Sequence, residues 1–218
     1  MKVLAVLSEK GGAGKTTIAV HLAVAAQLAG LDVAIIDLDP QGSAADWSDR
    51  RGSAPEAVAI PPVRLEKLLT DLRGNDADLV IIDTGRDSNN AGYTAARAAD
   101  FALIPCKGGG FDFRALARTL DLCRLADKRP CLVLNGMRPG ATRAQADARE
   151  ALATHACDIA PVVVHDRAAY RAASITAKTA QESEPGSAAA AEIETLYLWI
   201  AGQLGLSTTR QRDKQAVA

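Results

Sequence analysis

Aromatic side chains are scarce here: three Phe, three Tyr and two Trp make up 4% of 218 residues. A core must therefore come from Ala, Val, Leu and Ile, within an apolar content of 48%. No apolar run approaches the roughly 20 residues that span a bilayer. The start of the chain also lacks the pattern of a secretory signal, so nothing points to export or membrane insertion. Paired cysteines are missing too. Cys106, Cys123, Cys131 and Cys157 show no C-x-x-C spacing, which argues against a disulfide framework or an iron–sulfur site and for core thiols in a reducing cytoplasm. There is no surplus of positive charge: 25 Lys/Arg stand against 26 Asp/Glu, which argues against a constitutively strong nucleic-acid binder. The charge is unevenly spread, however. Residues 1–106 carry 10 basic against 14 acidic side chains, and residues 107–218 carry 15 against 12. The second half is mildly basic.

What the chain does contain is a regular alternation of short apolar runs and helical segments. Strands are expected at 2–7, 32–37, 79–83, 101–105, 130–135 and 161–164. Each is a continuous apolar run, as strands covered on both faces require. Helices are expected at 16–29, 43–51, 64–73, 91–98, 111–127, 142–155, 167–174 and 187–204. The pattern predicts an α/β fold with a doubly wound, mostly parallel sheet, and places ligands at the carboxyl ends of the strands. Residues 1–206 are expected to form one domain, and 207–218 a polar, flexible tail. The stretch 52–63, with Pro55, Pro61 and Pro62, reads as an irregular crossover. Trp47 and Trp199 are expected to pack on helices, and His21 and His155 to be structural.

Between the first strand and the first helix lies Ser8-Glu9-Lys10-Gly11-Gly12-Ala13-Gly14-Lys15-Thr16-Thr17. Glycines let backbone N–H groups converge on phosphate oxygens, and the helix N-terminus adds a partial positive charge. Lys15 supplies a full charge and the Thr16 hydroxyl a Mg²⁺ ligand. The strict G-x-x-x-x-G-K-[ST] spacing fails because Glu9 holds the place of the first glycine; a second lysine, Lys10, stands beside it. This deviant Walker A signature resembles the ParA/MinD family of ATPases. The resemblance covers nearly the whole chain, from Lys2 to about Leu206. It implies that Gly11, Gly12, Ala13, Gly14, Lys15, Thr16 and Thr17 bind ATP. It further implies that Lys10 reaches across a sandwich dimer to the phosphates of the other subunit.

Carboxylates mark two strand ends. Asp37-Leu38-Asp39-Pro40-Gln41-Gly42 places two acids beside the loop. Alone it also suits a solvated turn, but the hexad is similar to the family's first switch. That match implies that Asp37 supports the Mg²⁺ shell and that Asp39 orients the attacking water. Asp83 caps an apolar strand, where an unsolvated carboxylate is costly unless it meets a cation; it is the Walker B candidate, holding a water on Mg²⁺. Here the chain departs from the family, with Gly85-Arg86-Asp87 where Pro-Pro is usual. Arg86 is read as pairing with Asp87 at the surface, with the terminal phosphate and open solvent as the other options. Asn135 ends a strand; it matches the family's base-reading Asn, or forms an Asn-Gly turn with Gly136. The segment His165 to Ala173 looks like the family's late loop-helix, which makes Arg167 a candidate for closing the adenine pocket. The run Ala189 to Ile193 resembles the family's last helix.

The resemblance implies a partition or positioning ATPase of the small ParA type, because the phosphate loop begins almost at Met1 and leaves no room for a helix-turn-helix. Its expected partners are a second copy in the ATP state, nonspecific DNA, and a small centromere-binding or adaptor protein that stimulates hydrolysis. It is expected in the cytoplasm, associated with the nucleoid. Arg143, Arg149, Arg171, Lys178, Arg210 and Arg212 are the basic residues considered for DNA. A MinD-like membrane cycle would need an apolar face on the tail, which is absent after Ser207. A small-molecule ATP-dependent enzyme on the same fold is the remaining alternative.

Overall fold

A computed structural model describes residues 1–86, 89–107, 113–155 and 157–207. The first half runs β1 (Lys2–Val6), α1 (Lys15–Leu28), β2 (Val33–Asp37), α2 (Ser43–Arg51), β3 (Glu56–Ala59), α3 (Leu65–Gly74) and β4 (Leu79–Asp83). It continues with α4 (Asn89–Ala98), β5 (Phe101–Lys107), α5 (Phe113–Leu125), β6 (Pro130–Met137), α6 (Thr142–Ala153) and β7 (Asp158–His165). The chain then closes through α7 (Ala168–Thr176), α8 (Ala180–Ser183) and α9 (Ala188–Leu204). The strands form one parallel seven-stranded sheet in the order β3-β2-β4-β1-β5-β6-β7. The expected doubly wound architecture is what the chain adopts.

Alternation along the strands divides the core in two. Leu4, Val6, Ile35, Ile81 and Leu103 face α1, α2 and α7 to α9. Val3, Ala5, Ile36, Val80, Ile82 and Ile104 face the other way, towards α3 to α6. Helix α1 is sandwiched between sheet and α9, so ten of its fourteen residues are buried. Its Ala-rich sequence permits that close approach where larger side chains would overpack. Helix α9 buries Ile193, Leu196, Tyr197, Ile200 and Leu204, the stripe its spacing predicts. Trp47 is buried on α2, and Trp199 of α9 packs edge-on against Phe101 of β5, at 5.9 Å between ring centroids.

Two elements depart from the sequence expectation. Stretch 52–63 contains β3, an edge strand paired only with β2. Three of its four residues are exposed, and its run Ala57-Val58-Ala59-Ile60 is short and set between Pro55 and Pro61, so it reads as part of the crossover. Helix α8 is a single turn closed by a capping box between Thr179 and Glu182. The first residues of expected helix 111–127, residue Asp87 and the tail beyond Ser207, with Arg210 and Arg212, lie outside the described residues. All four cysteines are free thiols. Burial pushes Cys106 and Cys131 up to about 12 and Cys123 to about 11, as expected for unreactive core thiols.

His21 of α1 is fully buried. Its Nδ1 donates to the Thr17 carbonyl at 2.7 Å, its ring meets Tyr170 edge-on, and its Nε2 has no partner. Burial holds its pKa down at about 4. Below pH 6.5 the unfolded chain takes up a proton here that the folded chain refuses, so this contribution to stability is lost as pH falls from 6.5 towards 4. Asp83 acts in the opposite sense, since its folded value is raised (see below), so the effect must be read as a difference. The stability gap between wild type and His21→Leu should shift by about 3 kcal/mol between pH 7.5 and pH 4, measured by urea unfolding. A pH-independent gap would refute it.

Candidate active site

Strand β1 lies between β4 and β5 at the point where strand order reverses, which in such sheets opens a crevice at the carboxyl ends. The loop after β1 fills it. Gly12 and Gly14 take left-handed φ values of 70° and 92°, and Gly14 caps α1. No acidic side chain occupies the first turn of α1, so its positive end is left to an anion. A cavity of about 670 Å³ opens over this turn. Gly11, Gly12, Gly14, Lys15, Thr16 and Thr17 line one side, and Asp39, Pro40, Gln41 and Arg86 the other. Ala13 is buried beneath the loop. Lys15 is almost buried and folds back so that its Nζ lies 3.5 Å from the Lys10 carbonyl.

Parallel register brings the carboxylates together. Asp83 pairs with Val6 on one side and with Asp37 on the other. The Thr16 hydroxyl donates to Asp83 Oδ2 at 2.6 Å, while the buried Asp83 Oδ1 has no partner. Burial, with Asp37 nearby, raises the Asp83 pKa to about 7. A hydroxyl and an under-satisfied carboxylate beside a phosphate-sized cavity suit Mg²⁺, which keeps several waters and completes its shell with phosphate oxygens. Among the described residues no cluster of three His, Cys, Asp or Glu side chains forms a self-sufficient metal site.

Asp37 is bonded to the backbone. Its Oδ1 accepts the Asp39 N–H at 2.9 Å, and its Oδ2 accepts the N–H groups of Ala44 at 2.8 Å and Ala45 at 3.3 Å. The carboxylate thus ties the loop to the first turn of α2. At the far end of α2, Arg50 donates to the Ser174 and Ile175 carbonyls and Arg51 pairs with Glu182 at 2.6 Å. Asp39 faces the cavity, and its Oδ1 accepts the Gln41 N–H at 3.0 Å. A Cβ on Gly85 would sit 3.0 Å from the Asp39 carboxyl carbon. Gly85 therefore allows the second switch to press against Asp39.

The remaining candidates divide. Lys10 does not line the phosphate cavity; it lines a small crevice with Ile104, Cys106 and Lys107 at the end of β5. Asn135 lies beside the loop, where its Nδ2 donates to the Ala13 carbonyl at 2.6 Å. Asn135-Gly136 forms no hairpin turn but sits in β6 at a register shift against β7. Arg167 is held by Glu192, with Nη2 at 2.6 Å and Nε at 2.9 Å from Oε1. Glu192 also accepts from the His165 N–H and the Tyr170 hydroxyl, and binds His165 Nδ1 at 2.6 Å. These partners hold its carboxyl below the usual range against the opposing effect of burial. Sequence reasoning missed Glu192 as the hub; its only signal was the late Ala-rich run. Of the basic residues, Arg149 is committed to the Ala160 and Pro161 carbonyls and Arg171 to Asp166. Arg143 and Lys178 are exposed. Arg86 reaches over the loop onto Gly11. No described helix is long and apolar enough to cross a membrane.

Comparison with known proteins agrees with this geometry. A family model described as the CobQ/CobB/MinD/ParA nucleotide binding domain matches residues 4–179. A maintenance of carboxysome distribution protein A from Gloeobacter kilaueensis is 39% identical over 121 residues, 55% of each chain. A protein ParA from Rhizobium radiobacter is 33% identical over 125 residues, 56% of each chain. The matched region thus spans little more than half the length of these relatives. The fold matches the MinD cell division protein of Aquifex aeolicus with a TM-score of 0.76 at 17% identity, over 93% of this chain and 98% of that one.

Proposed function

The chain belongs to the CobQ/CobB/MinD/ParA nucleotide-binding family, and from that premise we propose that it is a ParA-type ATPase for DNA partition or cargo positioning. The observation that carries this reading is the Thr16–Asp83 pair, with its orphaned buried oxygen, at the mouth of a two-lysine glycine loop. Backbone N–H groups of the loop and Lys15 hold the phosphates, and Thr17 flanks the entrance. Thr16 and Asp83 would hold Mg²⁺, which would supply charge neutralisation to the phosphates. Asp39 orients the attacking water; Asp37 keeps Asp39 and α2 in place. Asn135 stiffens the loop beside the base, and Arg167 borders the base through its tie to Glu192. Hydrolysis gives ADP and phosphate and is slow until a partner acts.

Lys10 supports a dimeric ATP state, since it lies outside its own phosphate cavity. Pairing two copies would also double the exposed basic side chains available to DNA, Arg143 and Lys178 among them. A single set of such contacts binds DNA at typically ~10⁻⁴–10⁻⁶ M, whereas a bivalent one gains in avidity. The relatives named for carboxysome distribution and for ParA agree with cargo positioning. On this reading the protein works in the cytoplasm, on the nucleoid in its ATP state.

The test is binding to nonspecific duplex DNA with ATP, with ADP and without nucleotide, alongside the oligomeric state. DNA binding and dimers only with ATP, both lost in Lys10→Ala while monomer nucleotide affinity stays within about twofold, are expected. ATP-dependent dimers that ignore DNA would replace partition with a membrane, scaffold or small-molecule role. ATP hydrolysis that requires a small-molecule co-substrate would make it a metabolic enzyme.

A further inference from the structure

The geometry points to Arg86 as a residue that contacts the terminal phosphate of ATP from the same subunit, distinguishing ATP from ADP and stabilising charge as that phosphate departs. This rests on the nucleotide reading above. A long cationic side chain on an exposed loop ordinarily extends into water, where its rotamers are free. Arg86, although exposed, lies over the phosphate loop instead: a Cβ on Gly11 would sit 3.0 Å from its Cδ and 3.4 Å from its Nη1. A Cβ at position 11 would press on that side chain, so the glycine eases its path. The preceding residue, Gly85, presses on Asp39 with similar closeness. The pair Gly85-Arg86 therefore joins the early part of the loop to the carboxylate that faces the cavity, and the guanidinium lines the space between them.

That position selects one end of the nucleotide. Lys15 and a metal held by Thr16 would serve the outer phosphates, and Asp39 would stand where water must approach. Arg86, between Gly11 and Asp39, is on the γ side. In hydrolysis the water oxygen bonds to the γ-phosphorus as the bond from that phosphorus to the bridging oxygen breaks. The bonding pair stays on ADP, and the water's proton is released, so ATP and water give ADP, inorganic phosphate and a proton. Negative charge on the transferring oxygens is spread in the transition state, and a planar guanidinium can meet two of them at once. ADP offers Arg86 no such group.

The experiment compares wild type with Arg86→Ala, Arg86→Gln and Arg86→Lys, measuring affinity for ATP and for ADP with Mg²⁺, and kcat and KM without partner. Thermal melting checks folding; the exposed position predicts little change, and Gln keeps a polar stem if Ala does not fold. Arg86→Ala and Arg86→Gln should lower kcat roughly 100-fold and ATP affinity about tenfold, with ADP affinity within about twofold. Arg86→Lys should recover affinity more than kcat, because the charge returns without the fork. An unchanged ATP-to-ADP ratio and kcat overturns the assignment, as does equal loss of both nucleotides, which would mean that Arg86 only shapes the loop. A rate increase also overturns it. Wild type that binds neither nucleotide would remove the underlying reading itself, an outcome distinct from all the others.

Discussion

Gly14→Ala is expected to weaken nucleotide binding about 100-fold or more and to destabilise the fold by roughly 2–4 kcal/mol. Two costs meet at this position. The backbone holds φ at 92°, where a Cβ crowds its own chain. The new methyl would also overlap the Asn135 amide nitrogen. Asn135 would have to swing away, leaving the Ala13 carbonyl without the bond it accepts at 2.6 Å. Gly12 makes the control, for its φ of 70° carries similar strain but nothing lies within 4 Å of an added Cβ. Gly12→Ala should therefore cost only about 1 kcal/mol. Denaturant unfolding of both variants, with calorimetric ATP titrations, separates backbone strain from steric conflict. Equal losses in the two would show that Asn135 does not brace the loop.

Asp37→Ala should destabilise the protein by about 2–4 kcal/mol even without nucleotide or metal. Three backbone N–H groups lose their acceptor, two of them in the first turn of α2. Burial disfavours the charge and raises the pKa of Asp37, which offsets part of that value. Asp37→Asn should fall between, because one of its two oxygens is replaced by a donor facing other donors. The loosened turn should also carry Asp39 away from Gly85, so hydrolysis should fall with stability. Chemical unfolding in the presence of a chelator, followed by limited proteolysis at the 39–43 turn, provides the reading. A residue serving Mg²⁺ alone would leave the metal-free protein as stable as wild type. That result would return Asp37 to the metal shell that its motif implies.

The two cases differ in how they are written in the chain. Strand, glycine loop and helix start are contiguous, so their apolar run, glycines and lysines identify a phosphate site before any folding is considered. The buried strands are legible for the same reason: four to six apolar residues in a row have few other uses. Acidic residues at the ends of two such runs mark where the proposed cation would sit. Strand β3 is not legible this way. It is short, exposed, Ala-rich and flanked by prolines, and it is stabilised by pairing with β2 rather than by its own propensity.

Contacts between distant positions decided the rest. Register, a property of the assembled sheet, sets Asp83 level with Asp37 and within reach of Thr16. Asn135 and Ala13 are 122 positions apart, and Glu192 gathers Arg167, His165 and Tyr170 from a different helix. A motif states which groups are available, since local chemistry depends only on neighbours along the chain. Which groups spend their hydrogen bonds on the backbone and which remain open to a ligand is settled by what the fold brings alongside them. Asp37 belongs to the first kind and the unpartnered oxygen of Asp83 to the second.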